Sequence, residues 1–333
     1  MTTVTVYRST DGSAPTLTGQ VGSLVTVLLD CLVNGYGSQS AAGWTNPYNS
    51  GGNKAVFRNS AVDGSGLYLN VDDNGTTTAK EAYMTGFETM SAFNTGTNQF
   101  PTSGQLNLGS NPAGAVVCRK STTADATARA WTVIADDTCF YLFTESGDFT
   151  NPVGALGFFF GDIFAYKSSD AYRCLIIGRA IANNANGATE NFADLAVASN
   201  TGLATTLTGH YMDRIWTGVG GSLAVGKHSD AYKTGVAGSP VMGLNSNAAT
   251  FPYPNGPDGG LYLAPVWVHH SNAVRGYMKG CWNPLHTTPL NHNDTYSGTG
   301  NLSGKSFVVQ NIEYGNSTGQ IGQVHIETSS TWS

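Results

Sequence analysis

From Lys54 onward, apolar and polar side chains alternate in short runs separated by turn signals, and this period of two constrains the fold most. A strand turns successive side chains to opposite faces, so such runs predict strands with one face on a core. Residues 55–58, 67–71 and 81–88 read this way, with Asp72-Asp73-Asn74-Gly75 as the turn between the last two. Strands are predicted again at 115–118, 130–135 and 139–143, the latter two joined through Asp136-Asp137-Thr138. The continuous apolar run 156–160 suits a strand covered on both faces, and 172–179 follows it. Residues 260–264, 266–268, 307–312 and 323–327 complete the set, with a hairpin loop at 315–319. Many short strands with turns between them predict a mostly β chain, an antiparallel β-sandwich or jelly-roll-like body.

One segment breaks the pattern. Ser23 is placed to N-cap the run 24–33, and Asn34-Gly35 supplies a left-handed stop. Leu24, Leu28, Cys31 and Leu32 share one face, Val25, Val27 and Leu29 widen it, and only Asp30 is charged. A helix apolar on most sides is buried on most sides. It lacks the basic face of a membrane-active helix. A second short helix is expected at 189–198, capped by Thr189. Residues 93–114, rich in Asn, Thr, Ser, Gly and Pro, read as a linker. The chain therefore divides into an α+β segment, 1–105, and a sandwich-like segment, 115–333, separate from the first or packed with it as one unit. Lys167-Ser-Ser-Asp-Ala-Tyr-Arg173 is echoed by Lys227-His-Ser-Asp-Ala-Tyr-Lys233, by duplication or by convergence on a good turn.

Composition bears on partners. Of 333 residues, 16 are Lys or Arg and 22 are Asp or Glu, about half the charge of an ordinary soluble domain. A surface built instead from Ser, Thr, Asn and Gly suits a chain that faces other protein. The net charge of −6 and the scattered basic residues argue against nucleic acid. Cys31, Cys118, Cys139, Cys174 and Cys281 have no metal or redox spacing and are expected to be buried and unpaired, as in a reducing cytoplasm. The first residues do not form a signal peptide, and no apolar run reaches membrane-spanning length, so no membrane insertion is expected.

Candidate chemistry is sparse. All seven histidines lie between His210 and His325, but no zinc motif is present, and His269 and His270 would point to opposite faces of a strand. Asp72-Asp73-Asn74-Gly75 lacks the alternating ligands and closing glutamate of a calcium loop. There is no G-x-S-x-G elbow. Asp136, Asp137, Glu145, Asp148 and Asp162 fall on or beside strands, and two carboxyls suffice for glycoside hydrolysis, yet nothing singles out a pair. Catalytic, metal and cofactor sites are therefore expected to be absent. Trp44, Trp282 and Trp332 lie in loop-like or terminal segments, where an aromatic face could stack on a sugar or anchor a subunit contact; Trp131, Trp216 and Trp267 read as core.

Residues 22–38, GSLVTVLLDCLVNGYGS, continue through AAGWT at 41–45. Further on stand LYLNVDD at 67–73, FGDIFAYK at 160–167, GGLYLAPV at 259–266 and HIETSSTW at 325–332. Together these strings resemble a virion structural protein family of tailed bacteriophages, over most of the chain. The resemblance implies a non-enzymatic particle component, assembled in the host cytoplasm, whose partners are copies of itself and other virion proteins. Tail, baseplate or neck is expected before head decoration. It carries over no catalytic or binding residues. Two other expectations stand beside it: a glycan-binding host-recognition module on the virion, and a carbohydrate-active hydrolase.

Overall fold

The computed structural model describes residues 3–74, 80–106, 112–147, 154–180, 209–220, 223–224, 226–227, 258–270, 273–284, 288–314 and 320–332. In chain order it begins with β1 (Thr5–Arg8), the helix α1 (Ser23–Leu29) continued by a wider π-type turn (Asp30–Asn34), β2 (Thr45–Asn49), β3 (Lys54–Arg58) and β4 (Tyr68–Asp72). Next come β5 (Glu81–Ala92), β6 (Thr95–Phe100), β7 (Val116–Arg119), β8 (Ala130–Ala135), β9 (Cys139–Glu145), β10 (Leu156–Asp162) and β11 (Phe164–Ala165). After them are β12 (Cys174–Ile177), β13 (His210–Met212), β14 (Leu223–Ala224), β15 (Gly226–Lys227) and β16 (Leu263–His270). The remaining strands are β17 (Ala273–Pro284), β18 (Thr295–Ser297), β19 (Ser306–Tyr314) and β20 (Gln320–Glu327).

These strands form three antiparallel sheets. The central sheet runs β1-β8-β9-β10-β12-β13-β14. One outer sheet runs β2-β3-β4-β5-β6, with β7 on the other half of β5. The second outer sheet runs β15-β16-β17-β20-β19-β18, with β11 beside β17. Pairing crosses the 105–115 region in both directions: β1 borders β8, and β7 borders β5.

Alternation fixes which layer each side chain enters. On one face of the central sheet, Phe140, Leu142, Phe158 and Phe160 meet Phe57, Leu69 and Val71 of the first outer sheet, with Leu24, Val25 and Leu28 of α1 in the same core. On the opposite face, Tyr141, Phe143, Phe159 and Leu175 meet Val266, Val268, Val308 and Ile326. The central sheet is therefore covered on both faces, which is why all of Leu156–Asp162 is buried and reads as an unbroken apolar run. Each large apolar side chain buried this way contributes roughly 1.5–3 kcal/mol.

Three local expectations are corrected. Ser23 is the first helical residue, and its hydroxyl donates backward to the Thr18 and Gln20 carbonyls; the helix is capped by Asp73, whose Oδ2 accepts the Leu24 N–H at 2.8 Å. The expected linker, 93–114, contains β6, paired along β5. Trp216 and Trp267 are only half-buried, whereas Trp131 is core. At the helix end the sequence signal holds, with Gly35 at φ 78° and its N–H on the Asp30 carbonyl. The expected helix 189–198, the loop 315–319 and most of the second echo lie outside the described residues.

Charge goes inward. Thirteen charged side chains are buried among the described residues. Arg119 meets Glu81 at 2.8 Å, Arg275 meets Asp170 at 2.5 Å, and Lys120 pairs with Asp73. The described surface thus carries even less charge than the composition suggests.

Candidate functional site on the outer sheet

The most informative surface lies on the solvent side of the second outer sheet. In β16, Val266 and Val268 enter the core, so Pro265 and Trp267 point outward. Their partners across the ladder are Trp282 and Tyr277 of β17. Five positions apart, these two would face opposite sides of a regular strand. A bulge interrupts the register between Pro265 and Trp267 and resets the phase, so both rings face outward. The same bulge turns Met278 and Cys281 into the core.

Gly280, at φ +65°, sits in the bulge, and a Cβ there would lie 2.2 Å from Trp332 Nε1. Backbone of this kind favours glycine, and its missing side chain makes room for the Trp332 indole. Tyr141 of the central sheet donates to the Lys279 carbonyl at 2.6 Å, fastening the bulge from below.

Around the outward rings is a cleft of about 730 Å³. Tyr262, Tyr277 and Trp282 supply its aromatic surfaces, and Asp258, Asn301 and Lys305 its polar groups. Asp258 Oδ1 accepts the Gly260 N–H at 3.0 Å and the Tyr262 hydroxyl at 2.8 Å. These bonds hold the carboxyl below its usual range and push the phenol above its own. Lys305 Nζ reaches both oxygens of the buried Glu327 at 2.8 Å, so its charge is already balanced. Behind the cleft the edge of Trp282 meets Phe307 at 6.4 Å, and Phe307 stacks on Tyr296 at 5.1 Å. Tyr296 shares a 2.6 Å hydrogen bond with His325 Nδ1.

Of the three tryptophans read as sugar or interface contacts, only Trp282 lines this cleft. Trp44 is buried, its Nε1 donating to the Asp136 carbonyl at 2.8 Å and its edge against Phe140. Trp332 is buried too, its Nε1 donating to the Glu327 carbonyl at 2.7 Å and its ring edge-on to Tyr141. Both are corrected to core anchors. Their loop-like neighbourhoods are polar, but the indole itself turns inward. Tyr262 and Tyr277 were not singled out by sequence, because their outward placement depends on a cross-strand register that no local pattern encodes.

Of the strand-associated acids, Asp136, Asp162 and Glu145 are engaged in hydrogen bonds within the fold. Asp136 Oδ1 accepts Thr138 N–H, Thr138 hydroxyl and Cys139 N–H, closing the β8–β9 turn. Asp162 is held by Asn59, Ser65 and Arg173, and burial still raises its pKa. Glu145 meets His292 Nε2 at 3.3 Å, while Nδ1 of that ring accepts the Asn311 N–H. Asp137 is buried, and Asp148 lies outside the described residues. Among the described residues no three His, Cys, Asp or Glu side chains are grouped to hold a metal ion, and no helix is long and apolar enough to cross a membrane.

No family model matches the chain, and no characterised protein matches it in sequence.

Proposed function

We propose that this chain is a structural subunit of a tailed-phage particle that acts by contact rather than catalysis, with copies of itself and other virion proteins as partners. One observation carries the reading: among the described residues, a chain already poor in charge directs thirteen charged side chains inward and leaves few to face outward. Such a surface has little self-repulsion and little desolvation cost when covered by protein. The likeness to phage virion proteins points the same way, to tail, baseplate or neck before head decoration. Mass spectrometry of purified particles, with native mass measurement of the isolated chain, tests it. The expected result is a stoichiometric virion component that self-associates. A monomeric chain missing from particles overturns the proposal.

A second reading is favoured by the cleft itself. Aromatic faces flanked by a carboxylate, an amide and a balanced ammonium suit a sugar ring, whose C–H face stacks while its hydroxyls hydrogen-bond. On this reading the subunit also touches a host-surface glycan through Trp282. Loss of glycan binding in Trp282→Ala, with folding intact, is the expected result; unchanged binding removes the reading.

A further inference from the structure

The cleft does not end at Tyr277. The strand β11 lies against β17 with Phe164 opposite Tyr277, and the two rings stack at 4.7 Å with an 18° interplanar angle. Tyr166 follows two residues on, therefore on the same face, its ring 6.1 Å from Tyr277. Trp267 Nε1 donates to the Tyr166 hydroxyl at 3.0 Å, which fixes that ring in place. Phe164 is 41% exposed and Tyr166 56%, unusual for rings already engaged with aromatic neighbours. Tyr277 thus belongs to both the cleft and the open row beyond it. Pro265 and Trp267, two residues apart on β16, place their partners Trp282 and Tyr277 roughly 7 Å from each other along the sheet.

We infer that this face binds an extended, uncharged polysaccharide across consecutive subsites, the first in the Trp282–Tyr262 cleft and the others along Tyr277, Phe164 and Tyr166. The inference rests on the glycan reading of the cleft and adds the ligand's length and charge. Length follows from a row of rings longer than one sugar. Charge follows from the polar groups of the cleft: the Lys305 ammonium is held by Glu327 and the Asp258 carboxylate stands at the rim. Among the described lining residues, an acidic sugar in the first subsite therefore meets a carboxylate and a cation already paired, and the exposed Lys167 beside Tyr166 lies outside that lining.

Titration calorimetry of the full chain tests this. The probes are neutral gluco-, galacto- and N-acetylglucosamine oligomers of one to six units, with oligogalacturonates as the acidic counterpart. At least one neutral series is expected to tighten about tenfold from dimer to hexamer, with the uronates weaker. Tyr166→Ala should weaken the hexamer at least fivefold and leave the dimer unchanged, while Phe164→Ala, which removes the ring stacked on Tyr277 of the cleft, and Trp282→Ala weaken both. Thermal midpoints of the variants control for folding. Length-independent affinity with no effect of Tyr166→Ala overturns the extended site and leaves the cleft reading standing. Tighter binding of uronates overturns the assignment of charge. No binding by any oligomer removes the cleft reading and this inference together.

Discussion

Asp73 and Lys120, forty-seven residues apart, meet as a fully buried ion pair at the N-terminus of α1. Asp73 bonds at once to the ammonium and to the Leu24 N–H, and Lys120 also donates to the Gln20 carbonyl. Burial raises Asp73 to about 6 and lowers Lys120, each opposed by the other's charge. Removing one partner leaves the other uncompensated in the interior. Asp73→Ala is expected to cost about 3–5 kcal/mol in denaturant unfolding, and Asp73→Leu combined with Lys120→Met to recover most of that. The double variant should retain a deficit of about 1 kcal/mol from the lost helix cap. Additive losses would contradict the pairing.

Asp213 and Glu88 predict a pH dependence. Asp213 is fully buried just after β13, and burial together with the nearby Glu88 carboxylate raises it to about 7, although Arg214 opposes the shift. A carboxyl raised above its unfolded value near 3.9 binds its proton more tightly when folded. Its contribution is complete below about pH 4 and is lost as pH rises through about 7. The stability of the wild type relative to Asp213→Asn should therefore fall by on the order of 2–4 kcal/mol between those limits. Urea unfolding at several pH values measures it, and a flat difference refutes it.

The three tryptophans should separate by experiment. Trp44→Ala and Trp332→Ala each remove a buried, hydrogen-bonded indole and are expected to cost about 3–5 kcal/mol. Trp282→Ala, at a half-buried ring on the outer face, should cost roughly 1 kcal/mol or less. Thermal unfolding of the three variants side by side decides the matter; equal losses would contradict the assignment.

Gly276 explains how β11 comes so close. A Cβ there would lie 1.8 Å from the Phe164 carbonyl oxygen. Gly276→Ala is therefore expected to push β11 off β17 and separate Phe164 from Tyr277, while the core beneath survives. Near-ultraviolet circular dichroism should lose aromatic intensity with a loss of global stability of about 1–3 kcal/mol. An unchanged spectrum would show that β11 is not held by this approach.

Much of the β architecture was legible because the central sheet is covered twice. Runs such as 156–160 and 139–143 carry apolar residues at every position, and neither needs a distant partner to declare itself. The strand β17 was not legible, since its bulge breaks the alternation that marks a strand and Gly280 looks like a turn. The helix cap is hidden from the sequence for a related reason. A local serine satisfies the pattern, but a carboxylate forty-nine positions away wins the N–H because the end of β4 delivers it there. The candidate site suffered most. Trp44 and Trp282 have similar polar neighbours in sequence, and only cross-strand pairing decides which indole meets solvent.

The five sulfhydryl groups are all sealed in the interior, and burial drives those of Cys31, Cys139, Cys174 and Cys281 far from ionisation. A thiol must become a thiolate, and must be reached, before it can be oxidised or exchanged. The folded chain can therefore pass from a reducing to an oxidising medium with its covalent structure unaltered, gaining no crosslink and needing no reductant to stay intact.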